Sequence, residues 1–344
     1  MARQLAGLAI SGSAEQLLHE GRHHDLAGRL TEAMGCYRTA LDLTEPGEEP
    51  RLRSDALRRL AVLYHVRSEP EVARELCERS LDTAMRAGAH DLAADACNAL
   101  GGFALEQGDL AEAQEQYTRA LQLAGENITL LGKVEQNLGI VANIRGDWSE
   151  ALDHYTRSLA AYATTSDNRG CAFAHHNLGM IHADRKLWSE ADRHYRTSQA
   201  LAEAAGDRHL GGIATMNRAE ARLALGDVEG ASLGAEEALQ VFTELEARRH
   251  WAGAHRLLGM IYRKRELLAL AESHLRSAME IAASVCAPLI EADAAKELAG
   301  LYQQSGRSHE ALSLLTLARE RYGHLEAQVD VAEVEHRIEA IQAA

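Results

Sequence analysis

Proline and aromatic residues are scarce in this 344-residue chain, with four Pro and only 4% Phe, Trp and Tyr together. Four prolines cannot interrupt many helices, and the runs of Val, Ile, Thr and aromatics that build strands are missing. No apolar run approaches the roughly 18 residues of a membrane span. The stretch Leu5-Ala6-Gly7-Leu8-Ala9-Ile10 is too short and too weakly flanked by positive charge for a signal peptide. The five cysteines, Cys36, Cys77, Cys97, Cys171 and Cys286, are odd in number and never form C-x-x-C. That excludes a disulfide framework and predicts buried thiols in a reducing compartment. Cations are also in deficit, 36 Lys and Arg against 51 Asp and Glu for a net charge of -15. Such a balance argues against nucleic acid as a partner, because nonspecific binding draws on cations set against phosphates. A cytoplasmic protein with no membrane association is expected.

Catalytic signatures are missing as well. The chain has no phosphate loop of the form G-x-x-x-x-G-K-[ST], no dinucleotide G-x-G-x-x-G, no H-E-x-x-H helix and no G-x-S-x-G elbow. No cofactor and no enzymatic activity are therefore expected. Seventeen histidines invite a metal reading, and His175, His176 and His182 are the densest group. His182, however, stands three residues after Gly179, in the slot that holds Tyr262 and Tyr302 in other repeats, so a packed histidine is expected. The dipeptides His24-Asp25 and His90-Asp91 resemble phosphohydrolase motifs without the further ligands those need.

What the chain does have is a period. A small residue recurs at Gly21, Ala61, Gly101, Gly139, Gly179, Ala219, Gly259 and Ala299, spaced by 40 residues except for one step of 38. Twelve residues beyond each stands an alanine: Ala33, Ala73, Ala113, Ala151, Ala191, Ala231, Ala271 and Ala311. A larger filler follows four residues later, at Tyr37, Cys77, Tyr117, Tyr155, Tyr195, Ala235, Leu275 and Leu315. Three residues further a small one returns, at Ala40, Ser80, Ala120, Ser158, Ser198, Ala238, Ala278 and Ala318. Small residues where helices cross, with large ones filling between, are what close helix packing requires. Gly108-Asp109, Gly146-Asp147 and Gly226-Asp227 fall between the two helices of a repeat, where Gly ends one helix and Asp caps the next. Gly88, Gly125, Gly206-Asp207 and the two prolines between Thr44 and Pro50 mark stops between repeats, and Pro70 suits a helix start.

These residues resemble the tetratricopeptide-repeat family. Its Leu-Gly, an aromatic three residues on, then Ala, an aromatic and a small residue, are matched by Leu258-Gly259 with Tyr262, and by Leu178-Gly179 with Ala191, Tyr195 and Ser198. The period departs from the family's usual 34; the extra residues lie in inter-repeat segments such as Leu201 to Leu210. Similar long repeats occur in kinesin light chains, in spindle-orientation adaptors and in bacterial peptide-sensing and transcription-regulating proteins. The resemblance implies an all-α, right-handed α-solenoid superhelix. About eight helix pairs are expected in one array over 1–344, at 14–47, 48–87, 88–125, 126–165, 166–205, 206–246, 247–286 and 287–323. A capping helix is expected over 325–342, with Val331, Val334, Ile338 and Ile341 on one face and Glu333, Glu335 and Arg337 opposite.

In such an array the first helix of each pair lines the concave surface. Asn137, Asn177 and Asn217 stand there at intervals of 40, just before the small anchor. Asparagine both donates and accepts, so a column of them can hold an extended peptide backbone whatever its side chains; kinesin light chains and the spindle adaptors, as families, have a similar column. His176 belongs to the same surface. Arg218, Arg222, Arg256, Arg263, Lys264 and Lys296 form a basic stretch there, suited to acidic character in a ligand. A chaperone-tail carboxylate clamp is not reproduced, since Met260 and Glu297 occupy positions it would need. The expected function is a noncatalytic scaffold for a protein segment or extended peptide. The alternative is the ligand- or peptide-sensing module of a bacterial signalling or transcription regulator. An enzyme of the peptide-sensing phosphatase type would need an N-terminal helical bundle, for which repeats beginning near residue 14 leave no room. Self-association through the convex face, giving a homo-oligomer, is compatible with the same pattern.

Overall fold

The computed structural model describes residues 2–44, 48–325 and 327–343, with side chains from residue 13 onward. Pro46, one of the two prolines expected to stop a helix, lies outside the described residues, as do the side chains of Leu5 to Ile10. Among the described residues there are 17 α-helices and no strand. Eight hairpins follow in order: α1 (Ala2–Leu26) with α2 (Leu30–Leu43), α3 (Pro50–Val66) with α4 (Pro70–Arg86), α5 (His90–Glu106) with α6 (Leu110–Leu123), and α7 (Ile128–Ile144) with α8 (Trp148–Thr164). Then come α9 (Asn168–Asp184) with α10 (Trp188–Ala204), α11 (Arg208–Leu225) with α12 (Val228–Glu244), α13 (Arg248–Lys264) with α14 (Leu268–Ser284), and α15 (Pro288–Gln304) with α16 (Ser308–His324). The unpaired α17 (Gln328–Gln342) ends the series. The fold is an all-α solenoid. It separates into two compact units, residues 1–170 and 171–344. In the first, α1 touches α3, α3 touches α5 and α5 touches α7; in the second, α11 touches α13 and α13 touches α15. Within each unit the first helices thus form one layer and the second helices another.

The small anchors explain the hairpins. In four of them the tyrosine filler lies flat on a glycine of the first helix. A Cβ placed on Gly139 would stand 2.5 Å from Cε1 of Tyr155, on Gly101 2.6 Å from Tyr117, and on Gly179 2.6 Å from Tyr195. Gly21 and Tyr37 pack the same way. Leu275 takes the role over Gly259, at 2.5 Å. Where the anchor is alanine, the filler is Cys77, Ala235 or Leu315, never tyrosine. The returning small residue adds a polar tie where it is serine: Ser158 Oγ donates to the carbonyl of Gly132 (2.8 Å), Ser198 to Ala172 (2.8 Å) and Ser80 to Ser54 (2.7 Å). Each such bond joins the second helix of a hairpin to the first and satisfies a hydroxyl that burial would otherwise orphan.

The turns within hairpins close through the left-handed conformation at one fixed position, held by Gly28, Gly108, Gly146, Gly226 and Gly306 but also by Ser68, Lys186 and Glu266. Around Gly146 the bonds Gly146 N to Asn143 O (2.9 Å) and Asp147 N to Ala142 O (2.9 Å) make a Schellman closure. Asp109 and Asp227 then cap the next helix, accepting from Glu112 N and Gly230 N, as do Asn127, Asp167 and Asp207 between repeats. Asp147, expected to cap α8, makes no side-chain cap bond. The thiols also divide: Cys77, Cys97 and Cys171 are buried, Cys36 is half-buried and Cys286 is exposed, so the expectation of buried thiols fails at Cys286. That residue sits in a left-handed inter-repeat turn (φ 51°), outside any helix-crossing position.

Gly139→Ala is expected to cost about 2–3 kcal/mol by driving a methyl group into the Tyr155 ring. The double change Gly139→Ala with Tyr155→Leu, which copies Ala299 with Leu315, is expected to recover most of that loss in urea unfolding. Glu266→Gly, relieving a left-handed residue that bears a side chain, is expected to raise stability by about 0.5–1 kcal/mol.

Candidate functional site

The asparagine positions fall in both units. In the first, Asn137 of α7 donates through Nδ2 to Oδ1 of Asn98 on α5 (2.9 Å). Asn98 precedes its anchor by three residues instead of two, which is why the 40-residue column did not reveal it. In the second unit, Asn217 Nδ2 donates to Nε2 of His176 (2.9 Å). His176 therefore accepts at Nε2 and keeps its proton on Nδ1. Burial, only partly offset by the neighbouring Asn177 side chain, pushes its pKa down and favours the neutral ring. All three asparagines are half-buried, and Asn137 and Asn217 each have one bond made. An amide offers two donors and two acceptor sites, so each keeps capacity to spare.

The basic residues are brought together but not left bare. Arg218 and Arg222 of α11 share Asp192 of α10, at 3.1 and 3.3 Å. Arg256 meets Glu220 at 3.2 Å and Arg263 meets Glu297 at 2.9 Å. Lys296 bonds Asp330 (3.3 Å) and Glu333 (3.2 Å). Three of these pairings, Arg256 with Glu220, Arg263 with Glu297 and Lys296 with α17, run between successive first-layer helices, so they act as rungs across the floor of the second unit. Being partly exposed, each is worth about 0–1 kcal/mol. Lys264 alone of the six predicted cations is exposed without a partner among the described residues.

A groove of about 1110 Å³ opens within the second unit, lined by Trp188, Leu223, Met260, Arg263, Lys264 and Gln304 among others. A smaller one of about 580 Å³ lies over Gly300, where Arg263, Lys296 and Arg337 converge with Gln303. Arg337 was expected on the outward face of the capping helix. Instead its Nη2 donates to Gln303 Oε1 (2.6 Å), and Glu333 turns towards Lys296. The polar side of α17 therefore extends the basic floor, while Val334 on its other side is fully buried. Of the ten predicted residues, Arg263 and Lys264 line the large groove and Arg263 and Lys296 the small one. The apolar members, Trp188, Leu223, Met260 and Leu268, lie near the hairpin turns, and their sequence signal is the exposure of residues flanking each turn, such as Leu268 at 41%.

The histidine trio separates. His176 serves Asn217, whereas His175 and His182 both meet His194 of α10, through a 3.0 Å Nδ1–Nδ1 hydrogen bond and a ring stack with centroids 5.2 Å apart. Among the described residues no group of three or more His, Cys, Asp or Glu is placed to hold a metal ion. His90-Asp91 and His24-Asp25 have structural partners: Asp91 is bonded by Arg51, and His24 Nδ1 accepts from Arg29 Nε (2.8 Å).

Comparison with known proteins bears on this arrangement. The model of the tetratricopeptide repeat matches residues 52–126, 96–164 and 126–204. Residues 52–204 belong to the tetratricopeptide-repeat family. A search of curated proteins returns no match. Among solved structures, a tetratricopeptide-repeat sensor protein of the signal transduction ATPases with numerous domains, from Pyrococcus horikoshii, is similar at 17% identity and a TM-score of 0.70. That likeness covers 95% of this chain and 50% of that one, so the chain spans half the length of the Pyrococcus protein. A Rap protein complexed with competence and sporulation factor is similar at 15% identity and a TM-score of 0.63, over 96% of this chain and 98% of that one. BtubC (BKLC) from P. vanneervenii is 20% identical with a TM-score of 0.55, over 62% of this chain and 90% of that one. At these identities the likeness is one of fold. No helix among the described residues of this repeat protein is long and apolar enough to cross a membrane.

Asn217→Ala is expected to cost about 1–2 kcal/mol by leaving Nε2 of the half-buried His176 without its donor. A double-mutant cycle with His176→Phe is expected to return a coupling of about 1 kcal/mol in urea unfolding.

Proposed function

We propose that this tetratricopeptide-repeat protein is a noncatalytic scaffold that holds a protein segment or extended peptide along its first-layer helices. The observation that carries the reading is the state of the asparagines: all three half-buried, Asn137 and Asn217 oriented by one bond each, to Asn98 and to His176, and all still able to make further bonds. Oriented amides at repeat spacing suit a main chain, because they offer donors and acceptors without demanding a particular side chain. Within the second unit, first-layer helices lie about 10 Å apart and an extended chain rises about 3.3 Å per residue, so Asn177 and Asn217 serve ligand residues about three apart. Apolar side chains of the ligand would rest against Trp188, Met260 and Leu268 in the large groove. Acidic ones would meet Lys264, and would compete with Glu220, Glu297 and Glu333 for Arg256, Arg263 and Lys296. Selection for acidic character is therefore moderate, since the ligand displaces carboxylates already in place.

A second reading, the sensor module of a bacterial signalling or transcription regulator, draws on the Pyrococcus structure, whose repeats are described as a sensor, and on the Rap protein complexed with competence and sporulation factor. The two readings share the groove and differ in consequence: a sensor changes conformation on binding and a scaffold does not, which small-angle scattering with and without peptide distinguishes.

Replacing Asn137, Asn177 and Asn217 together by Ala is expected to weaken capture of a main-chain-held peptide about tenfold or more with helicity retained; unchanged capture by a folded variant overturns the role of the amides. Glu297→Gln frees Arg263 and is expected to tighten binding of a fluorescein-labelled Glu-rich peptide several-fold. If that affinity stays the same, the basic rungs serve the fold alone.

A further inference from the structure

Helix α13 carries Arg248, Arg249, Arg256, Arg263 and Lys264, and not one Asp or Glu. It also carries His250 and His255, and both meet another histidine on a neighbouring helix. His250 Nδ1 lies 3.3 Å from Nε2 of His209 on α11, with ring centroids 4.7 Å apart and the Phe242 ring of α12 beside both. His255 Nδ1 lies 3.0 Å from Nδ1 of His274 on α14, with centroids 5.0 Å apart and the tilted Tyr262 ring 5.2 Å from that of His274. Each pair is satisfied when one ring donates and the other accepts, which holds for two neutral rings. One added proton still leaves a single bridging hydrogen; a second sets two cations face to face.

We propose that α13 is a pH-sensitive joint: acidification charges the His209–His250 and His255–His274 pairs and loosens α13 from α11 and α14, opening the second-unit groove that α13 lines. The surroundings give little relief. From α12, Glu236 is the carboxylate that reaches His274 and favours its charged form. His250 feels His209 of α11, Arg249 of its own helix and His176 of α9, all disfavouring protonation. His255 feels only burial and His274; no group of α15 is among its influences. Burial first, then these neighbours, holds His250 and His255 down at about 4, and burial also lowers His274. In the unfolded chain the same rings titrate near 6.5. The unfolded state therefore binds more protons between these limits, so stability is complete above about pH 6.5 and falls as the pH drops towards 4. Because Met260, Arg263 and Lys264 line the large groove, loosening α13 alters that groove directly.

Other repeats show what the device replaces. At the positions of His255 and His274, the second repeat has Leu57 and Leu76, both buried. The fourth has Glu135 and His154, hydrogen-bonded at 2.6 Å, with a carboxylate in place of the second ring. At the position of His250, the sixth repeat has Leu210, 1% exposed. Leucine at these sites is thus native to the architecture.

The test compares the full chain with the variant His250→Leu/His255→Leu/His274→Leu by urea unfolding from pH 7.5 to 4.5. Relative to the variant, the parent's folding constant is expected to fall about tenfold per pH unit for each of His250 and His255 below about pH 6.5. Parallel profiles overturn the proposal. In a background with Trp148 and Trp188 replaced by Phe, the emission of Trp251, whose ring lies 6.1 Å from His255, is expected to shift over the same range. A shift absent in the parent, or equal in the variant, also overturns it. Should the triple variant fail to fold, His250→Leu carries the same comparison with half the slope.

Discussion

The contact on which the rest of the structure depends is an aromatic ring lying on a bare stretch of helix. At Gly21, Gly101, Gly139 and Gly179 the backbone of the first helix is exposed to a tyrosine of the second, closer than any side chain would permit. The ring brings a large apolar area into contact at one crossing, which suits a protein with few aromatics to spend. It also fixes the separation of the two helices and so the place of every other side chain on them. Hairpins without the ring set alanine against cysteine, alanine or leucine, or Gly259 against Leu275, and keep the register by a different division of the same volume.

With separation set inside each hairpin, polar groups on the first layer add ties from one hairpin to the next. In the second unit the rungs Glu220 to Arg256, Arg263 to Glu297 and Lys296 to Glu333 run along the surface that also lines the grooves. A surface so built is basic in composition yet largely compensated in place. Its selectivity then depends on exchange of one carboxylate for another, with Lys264 and the neutrally bonded Arg337 as the exceptions. The neutral asparagines carry no such competition, which is why they rank above the cations as ligand contacts.

Much of this was legible in the sequence, because a repeat states its own packing eight times over. The anchor and filler registers predicted hairpins, and the slot of His182 predicted a packed ring, which it is, against His194. Three things were not legible. The cation partners were hidden because Asp192, Glu220 and Glu297 lie off the register being counted, and ion pairing depends on side-chain reach across helices. Asn98 was missed by one residue for the same reason. Arg337 was read as outward because a face opposite an apolar stripe was taken as solvated, whereas the end of a solenoid has a neighbour on that side: α15, through Gln303 and the carbonyl of Lys296. Asp147 shows the limit of motif reading in turns, since the backbone closure forms there whether or not the side chain caps.

One pair of positions, four residues before the anchor and one before the filler, shows how an array acquires local chemistry without changing fold. It holds Leu57 with Leu76, Glu135 with His154, and His175 with His194 and His255 with His274. All four fit the same gap between the two helices of a hairpin, so packing does not choose among them. Their response to protons does: the leucines have none, the Glu135 carboxyl is held low against burial by His154 and Arg157, and the histidine pairs penalise a charged ring. Since each hairpin contacts mainly its neighbours, such a substitution acts where it stands and leaves distant repeats as they were. The stability of this protein is therefore a sequence of local terms, and the terms at α13 fall beside the groove.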